Sequence, residues 1–548
     1  MARFVIITVF VLSSLCLQGQ HDHSHQHFTL QDTLRGTITP ERAWWDLQHY
    51  NLNVTVIPKD SFLRGKNTIM YKVLEENKVM QIDLQEPLKI TKAEQQGESL
   101  EFTRDGNVFY INTKIRQTPG MVASLTVHYE GKPMVSERPP WSAALTWAKD
   151  KKGYDIITTT CQGEGASTWW PCKDHMYDEP DDGMKISITA PRKLMSVSNG
   201  RLINIEEKGS KTTYHWEVKN PINNYGVNMN IGRYATWSEV YQGENGPLDV
   251  SYYVYKGNEK IAKKHFREVP RTLAAFEHWF GPYPFYEDGY KLVEVPYLGM
   301  EHQSSVTYGN GFENGYGGRD LSNTGIGFLF DFIIVHETGH EWFANSITNI
   351  DIADMWIHEG FTAYSENLFV EYHWDKKKGA DYVIGTRDYV QNDKPIIAPY
   401  NVNASGSSDM YYKAANMLHT IRQILNDDEK WRDILRGINK RFYHQQVNTQ
   451  QIEDYLSRRV GIELEPVFTQ YLRTTQIPVF EYRLVDGKLR YRWTQCVDNF
   501  DMPLKIYVNG NGMLLSPRKR WQELENIAPD AKITIDRNYY AIGSNVNG

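Results

Sequence analysis

Cysteine is scarce in this chain, with four in 548 residues, and Cys16 falls inside an apolar stretch at the amino terminus. Cys161, Cys172 and Cys496 remain, too few and odd in number for a fold built on disulfides. They read as buried thiols, with a Cys161–Cys172 bridge as the alternative in an oxidising compartment. Basic charge is lacking too. Sixty Lys and Arg stand against 67 Asp and Glu, a formal net charge of −7. A nucleic-acid partner would call for a basic excess or stripe, so none is expected. Beyond the amino terminus no stretch approaches 18 continuous apolar residues, which excludes a membrane-embedded body. Internal repeats and low-complexity tracts are absent as well. Aromatics, in contrast, are plentiful at 13%, with 34 Tyr and 15 Trp, which argues against disorder.

The first residues are not fold. Arg3 precedes the apolar run 4–17, and small and polar residues come next. This is the layout of a secretory signal over 1–19, too short to span a bilayer comfortably. The protein is therefore expected to be exported, to the periplasm of a two-membrane bacterium and otherwise to the medium. No integral membrane segment should survive signal removal. Lipid anchoring at Cys16 is disfavoured because Leu15 stands where a small residue is required. The leader 20–43 opens on His21, His23, His25 and His27. It reads as disordered and solvated, with metal capture by the histidines as the alternative.

Three rhythms divide the rest into a multidomain α+β chain. Period-two alternation, as in Tyr50, Leu52, Val54 and Val56, marks an antiparallel β-sandwich over 44–236. A helical period dominates 237–477, where Trp431, Ile434, Leu435, Ile438 and Phe442 form one buried face. Strands return over 478–548 as a small β domain. There Phe480, Tyr482 and Leu484 lead into Asp486-Gly487, and Leu489, Tyr491 and Trp493 answer across a hairpin.

The chemistry lies in the middle region. The stretch 328–340 reads as one continuous helix carrying His336-Glu337-Thr338-Gly339-His340. Histidines at i and i+4 share a helix face, so both imidazoles can reach one zinc ion, with Glu337 beside the ion rather than on it. Nineteen residues beyond His340 comes Glu359, at the start of a second helix read as amphipathic through Phe361, Tyr364 and Leu368. Two imidazoles and one carboxylate leave a fourth position open, the arrangement of a catalytic zinc. Glu366 either orients a ligand imidazole or is a solvated helix glutamate. One Zn2+ per chain is expected, although such ligands would accept cobalt or manganese in vitro. The implied chemistry is hydrolysis by a zinc-activated water, with Glu337 taking the water's proton and passing it to the departing amine. Spacing does not name the donor that the oxyanion requires.

The motif His336-Glu-x-x-His340, with Glu359-Gly360-Phe361 after a further eighteen residues, resembles the aminopeptidase N family of zinc exopeptidases, the gluzincin group that also includes leukotriene hydrolase. Other stretches agree. Phe280 to Phe285 and Lys291 to Pro296 resemble the approach to the family's amine-binding loop, G-x-M-E-N. Here that loop reads Leu298-Gly299-Met300-Glu301-His302, with Leu298 in place of the first Gly and His302 in place of Asn. The resemblance implies that Glu301 binds the substrate's α-ammonium, with Gly299 and Met300 beside the peptide. Tyr411-Tyr412-Lys413-Ala414 resembles Y-x-K-G, which makes Tyr411 the oxyanion donor, with Tyr412 the adjacent alternative. Cys161-Gln162-Gly163-Glu164, counted back from Pro171-Cys172, places Gln162 in the amine site, with Glu164 the nearby alternative. His340-Glu341-Trp342-Phe343-Ala344-Asn345 matches H-x-W-F-x-N, and His49-Tyr50 and Leu63-x-Gly65 fit the start of the β-sandwich.

The resemblance runs over roughly 44–476 and implies a thermolysin-like catalytic domain. It then stops. Where members carry a large helical roof, this chain turns to strands after Pro478, so the site is expected to be more open or capped by a shorter β domain. The expected activity is removal of the first residue from peptides with a free amino terminus. Another hydrolase reaction on the same zinc site (epoxide hydrolysis or open-cleft endopeptidase action) and an inactive scaffold are the alternatives.

Overall fold

The computed structural model describes residues 27–142 and 144–546. The signal segment, Cys16 and the first leader histidines lie outside the described residues. The rest of the leader departs from expectation, because it is ordered by contacts far along the chain. Thr29 caps a short helix, Leu30–Gly36, by reciprocal hydrogen bonds with Asp32. In the next turn, Pro40–Ala43, Arg42 is fully buried. Its guanidinium donates to the carbonyls of Leu34, Arg35 and Thr37 and to the Asp83 carboxylate at 2.7 Å. A polar composition hides this segment because its partner, Asp83, is distant in sequence.

The first body is β-rich. Strand Trp45–Ile57 alternates buried and half-buried side chains, with one slip at the bulge between Leu47 and His49, and lies near the middle of an eight-stranded sheet. It pairs antiparallel with Phe62–Val73 and parallel with Met184–Pro191. A three-stranded sheet built on Val79–Asp83 and a four-stranded sheet containing Asp155–Thr160 share one apolar core with it. The cysteines at 161 and 172 are buried in that core as free thiols.

Strand Tyr234–Gly243 crosses the expected boundary at 236. It pairs along its whole length with Gly246–Tyr255, in the five-stranded sheet of the second body. The sheet of the second body therefore takes in Tyr234, on the near side of that boundary. The strand rhythm simply continues across the junction, so periodicity carries no mark of it. The sheet ends on the two-residue edge strand Gly299–Met300, paired antiparallel with Thr307 and Tyr308. Beyond this sheet the chain is mainly helical as far as Arg473. Helix Asp428–Arg441 starts on its Asp427 cap and buries the Trp431, Ile434, Leu435 and Ile438 stripe.

The C-terminal strands form a four-stranded and a three-stranded sheet. The hairpin pairs Leu484 with Leu489 and Val485 with Lys488. Asp486 and Gly487 both take positive φ at the turn, the conformation that two-residue hairpin loops require. These sheets share one apolar core with the helical body through Phe480, Trp493 and Leu504. Tyr471 Oη donates to the Tyr540 carbonyl, and Tyr540 N donates to Thr420 Oγ1. The β cap thus buttresses helices Tyr412–Leu425 and Glu465–Arg473. Among the described residues no helix is long and apolar enough to cross a membrane.

Candidate active site

The His-Glu-x-x-His helix is shorter than its sequence suggests. It spans Phe332–Gly339, because Phe330 is extended and Asp331 caps the first turn. Asp331 Oδ1 accepts from Ile333 N and Ile334 N at 2.9 and 3.1 Å, and Oδ2 accepts from Tyr308 Oη at 2.8 Å. One buried carboxylate thus ends the loop, starts the helix and ties it to strand Val306–Tyr308. The second helix, Trp356–His373, is buried on every face from Trp356 to Val370 and is not amphipathic. The core simply surrounds it.

These helices bring three donors together. His336 Nε2 and His340 Nε2 are 3.2 Å apart, and Glu359 Oε2 lies 3.6 and 3.3 Å from them. The rear nitrogens are both engaged. His336 Nδ1 is 2.8 Å from Glu366 Oε1, and Tyr382 Oη donates to Glu366 Oε2 at 2.9 Å. Glu366 is fully buried, so of its two readings the orienting one holds. His340 Nδ1 lies 3.0 Å from the Phe343 carbonyl and 3.1 Å from Thr362 Oγ1. Both rings therefore present Nε2 inward.

A zinc ion fits this donor set. Glu359 Oε2 is buried without a hydrogen-bond partner, and an orphaned anionic oxygen beside two inward imidazole nitrogens awaits a cation. Burial disfavours both imidazolium forms, yet the carboxylates, Glu359 prominent among them, outweigh it and raise both histidines. Burial likewise opposes charge on Glu359, but the two imidazoles overcome it and hold the carboxyl well below its usual range. The cluster is short of positive charge.

The other expected residues surround this centre. Glu337 is buried, and burial together with the Glu301 charge pushes it up to about 8 against the pull of the histidines. Glu301 comes directly after the edge strand and is buried, which raises its pKa. Gln162 Nε2 donates to Glu301 Oε1 and to Glu359 Oε1, each at 2.8 Å. The Tyr411 ring stacks on His336 with centroids 6.0 Å apart. Burial, with the charges of Glu359 and Glu301, raises its hydroxyl well above the ordinary value. Tyr412 packs against Tyr389 instead, and Lys413 Nζ donates to the Thr474 carbonyl at 2.8 Å. Of the two tyrosines, Tyr411 is the one at the centre.

The Peptidase family M1 domain matches residues 266–471, and the Peptidase M1 N-terminal domain matches 47–225. The chain belongs to peptidase family M1. This M1 chain is 23% identical over 475 residues to a leucyl aminopeptidase of Saccharolobus solfataricus, an alignment covering 82% of the chain and 58% of that relative. It is 22% identical over 339 residues to leukotriene A-4 hydrolase of Xenopus laevis, covering 58% of the chain and 52% of the relative. The chain thus spans little more than half the length of these relatives. In fold it is similar to the crystal structure of an M1 zinc metallopeptidase from Deinococcus radiodurans, with a TM-score of 0.65 and 21% identity over 80% of this chain and 95% of that one.

Several contacts in this M1 chain's site escaped sequence reasoning. After His340 the backbone leaves helical geometry, with Ala344 at φ 144°. That irregular turn aims the Phe343 carbonyl at His340 and lets Asn345 Nδ2 donate to the Glu301 carbonyl at 2.9 Å. The H-x-W-F-x-N match marks the stretch without revealing that it braces the loop at Glu301. His302, standing where the family has Asn, is fully buried with Nδ1 3.3 Å from Thr307 Oγ1.

Gly299 has a clear physical reason. A Cβ there would lie 2.5 Å from Ile333 Cγ2 and 3.1 Å from Glu337 Oε1. Gly299→Ala is expected to push the edge strand off the helix, costing about 1–3 kcal/mol of stability as overpacking does. Turnover should fall more steeply than stability. Urea unfolding and steady-state kinetics on the same variant check both.

Proposed function

We propose that the protein is an exported zinc metalloaminopeptidase that hydrolyses the first peptide bond of peptides with a free amino terminus. One observation carries this reading. Gln162 Nε2 bridges Glu301 and Glu359 at 2.8 Å each, so an ammonium held by Glu301 sits beside the metal-ligand carboxylate. Only the first peptide bond of a chain so held reaches the centre.

His336, His340 and Glu359 would hold the ion. When bound, zinc supplies a Lewis acid that polarises the scissile carbonyl and acidifies water. The remaining work falls to side chains. Glu301 pairs with the ammonium in a desolvated setting, where a charge-assisted contact is strong. Because both Gln162 Nε2 contacts are to carboxylates, the amide oxygen is left to accept from that ammonium. Glu337 takes the proton of the attacking water and returns it to the leaving amine. The Tyr411 hydroxyl donates to the oxyanion as charge builds on it. Gly299 and Met300, on a sheet edge, offer backbone groups to an extended peptide.

Export is proposed from the amino-terminal pattern of Arg3 and the apolar run 4–17. The test of activity is a panel of aminoacyl amides, free and N-acetylated, with and without chelator. Free substrates should be cut, acetylated ones spared, and chelation should abolish turnover until zinc is restored. Equal cutting of both forms would move the assignment to an endopeptidase, and no cutting by zinc-loaded protein would sink hydrolysis of peptides altogether.

A further inference from the structure

A cleft with a cavity volume of about 50 Å³, open at its mouth, is lined by Gln162 and by residues of both bodies. Met176, Tyr225, Ile352 and Met355 give it largely apolar walls. Of the site residues Gln162 lines it, and Gln162 donates to Glu301 at 2.8 Å, so the side chain of a residue whose ammonium sits at Glu301 would enter this space past Gln162. Arg35 and Gly36 of helix Leu30–Gly36 also line it, and that helix precedes the M1 N-terminal match beginning at 47.

That helix is pinned to both bodies. The Asp32 carbonyl accepts from Asn403 N at 3.1 Å, and Thr37 Oγ1 donates to the Asn401 carbonyl at 2.9 Å. On the other side His175 Nε2 meets the Gly36 carbonyl at 3.2 Å. Gly36 packs so closely on loop 401–403 that a Cβ would lie 2.2 Å from the Val402 carbonyl carbon. Arg35 lies over Gly165, where a Cβ would come within 2.2 Å of the guanidinium. Its Nε is 3.8 Å from Asp174 Oδ2, with side-chain exposures of 19% and 7%.

We propose that Arg35 determines which first residue the enzyme accepts, by neutralising Asp174 in the wall of the side-chain pocket and so disfavouring basic side chains. This rests on the aminopeptidase reading above. Two carboxylates line the cavity, Asp174 and Asp351. Asp351 is occupied by the backbone N–H groups of Ala353 and Asn401, at 2.9 and 2.8 Å. Asp174 accepts from Ser167 N and Oγ, but Arg35 is its one cationic partner among the described residues. With Arg35 present the pocket offers largely apolar walls and a balanced charge pair, suited to uncharged side chains such as Leu or Met. Without it, a buried carboxylate faces the cavity and favours a cation.

The experiment compares kcat/KM of the unmodified full chain, Arg35→Met and Arg35→Lys on alanyl, leucyl, lysyl and arginyl amides. Arg35→Met should raise the arginyl-to-leucyl ratio at least about tenfold, while Arg35→Lys keeps the original order. Ratios cancel any uniform effect of the helix on the Gln162 loop. Unchanged ratios, or a loss equal across all four substrates, would overturn the inference while leaving the aminopeptidase reading intact. Absence of turnover by the unmodified chain would overturn both.

Discussion

Replacing Glu301 with alanine is expected to lower kcat/KM on free aminoacyl amides by about 10²–10³-fold, the scale of removing one partner from a buried, hydrogen-bonded charge pair. Acetylated substrates should change little, so the preference for a free amine collapses. The carboxylate is buried, and its backbone carbonyl is held by Asn345, so it is positioned without help from substrate. An ammonium entering this space leaves its hydration shell and needs a full counter-charge in return. Gln162 keeps its contact with Glu359 when Glu301 is truncated, so the metal-ligand carboxylate stays oriented. Zinc content, measured by atomic absorption, should therefore remain near one per chain while the kinetics fail. If the variant still discriminates free from acetylated amides, Glu301 is not the group that binds the amine.

The legible part of this protein is what local spacing records. An i, i+4 histidine pair and a glutamate opening the next helix are chemistry written into helix geometry. The Asp486-Gly487 hairpin is equally local, since two residues of positive φ leave the turn few alternatives. The features that escape are long-range. Gln162 meets its two carboxylates across 139 and 197 residues of chain, and only the family resemblance places it. Arg42 orders a leader that composition alone casts as disordered, because its burial depends on Asp83. The short Phe332–Gly339 helix departs from expectation for another reason. An apolar run continues through Phe328 and Phe330, and the capping signal at Asp331 competes with it; in the folded chain the cap wins because Tyr308 also needs that carboxylate. Where residues serve a site, each local signal is bent toward partners that spacing does not encode.

Glu337→Gln is the sharpest probe of the chemistry, because it keeps shape and removes the base. It should lower kcat by about 10³–10⁴-fold, toward the upper end of what general acid–base catalysis contributes. KM should move less than kcat, since Glu337 makes no hydrogen bond to Glu301 or Gln162 among the described residues, although its carboxylate lies within 4.8 Å of that of Glu301. Zinc should stay bound, because all three ligands and their supports at Glu366, Tyr382, Phe343 and Thr362 are intact. The electrostatics sharpen the expectation. Burial and the Glu301 charge raise the Glu337 carboxyl to about 8, so its proton is held more tightly than by an ordinary glutamate. A bound cation favours the carboxylate and lowers that value, so the chemical step should switch on as pH rises through the loaded enzyme's Glu337 pKa. Glu337→Gln has no such group and should lose this acid limb of the kcat profile along with most of the rate. A variant that kept the limb would assign it to another residue. A variant that kept the rate would remove Glu337 from the reaction.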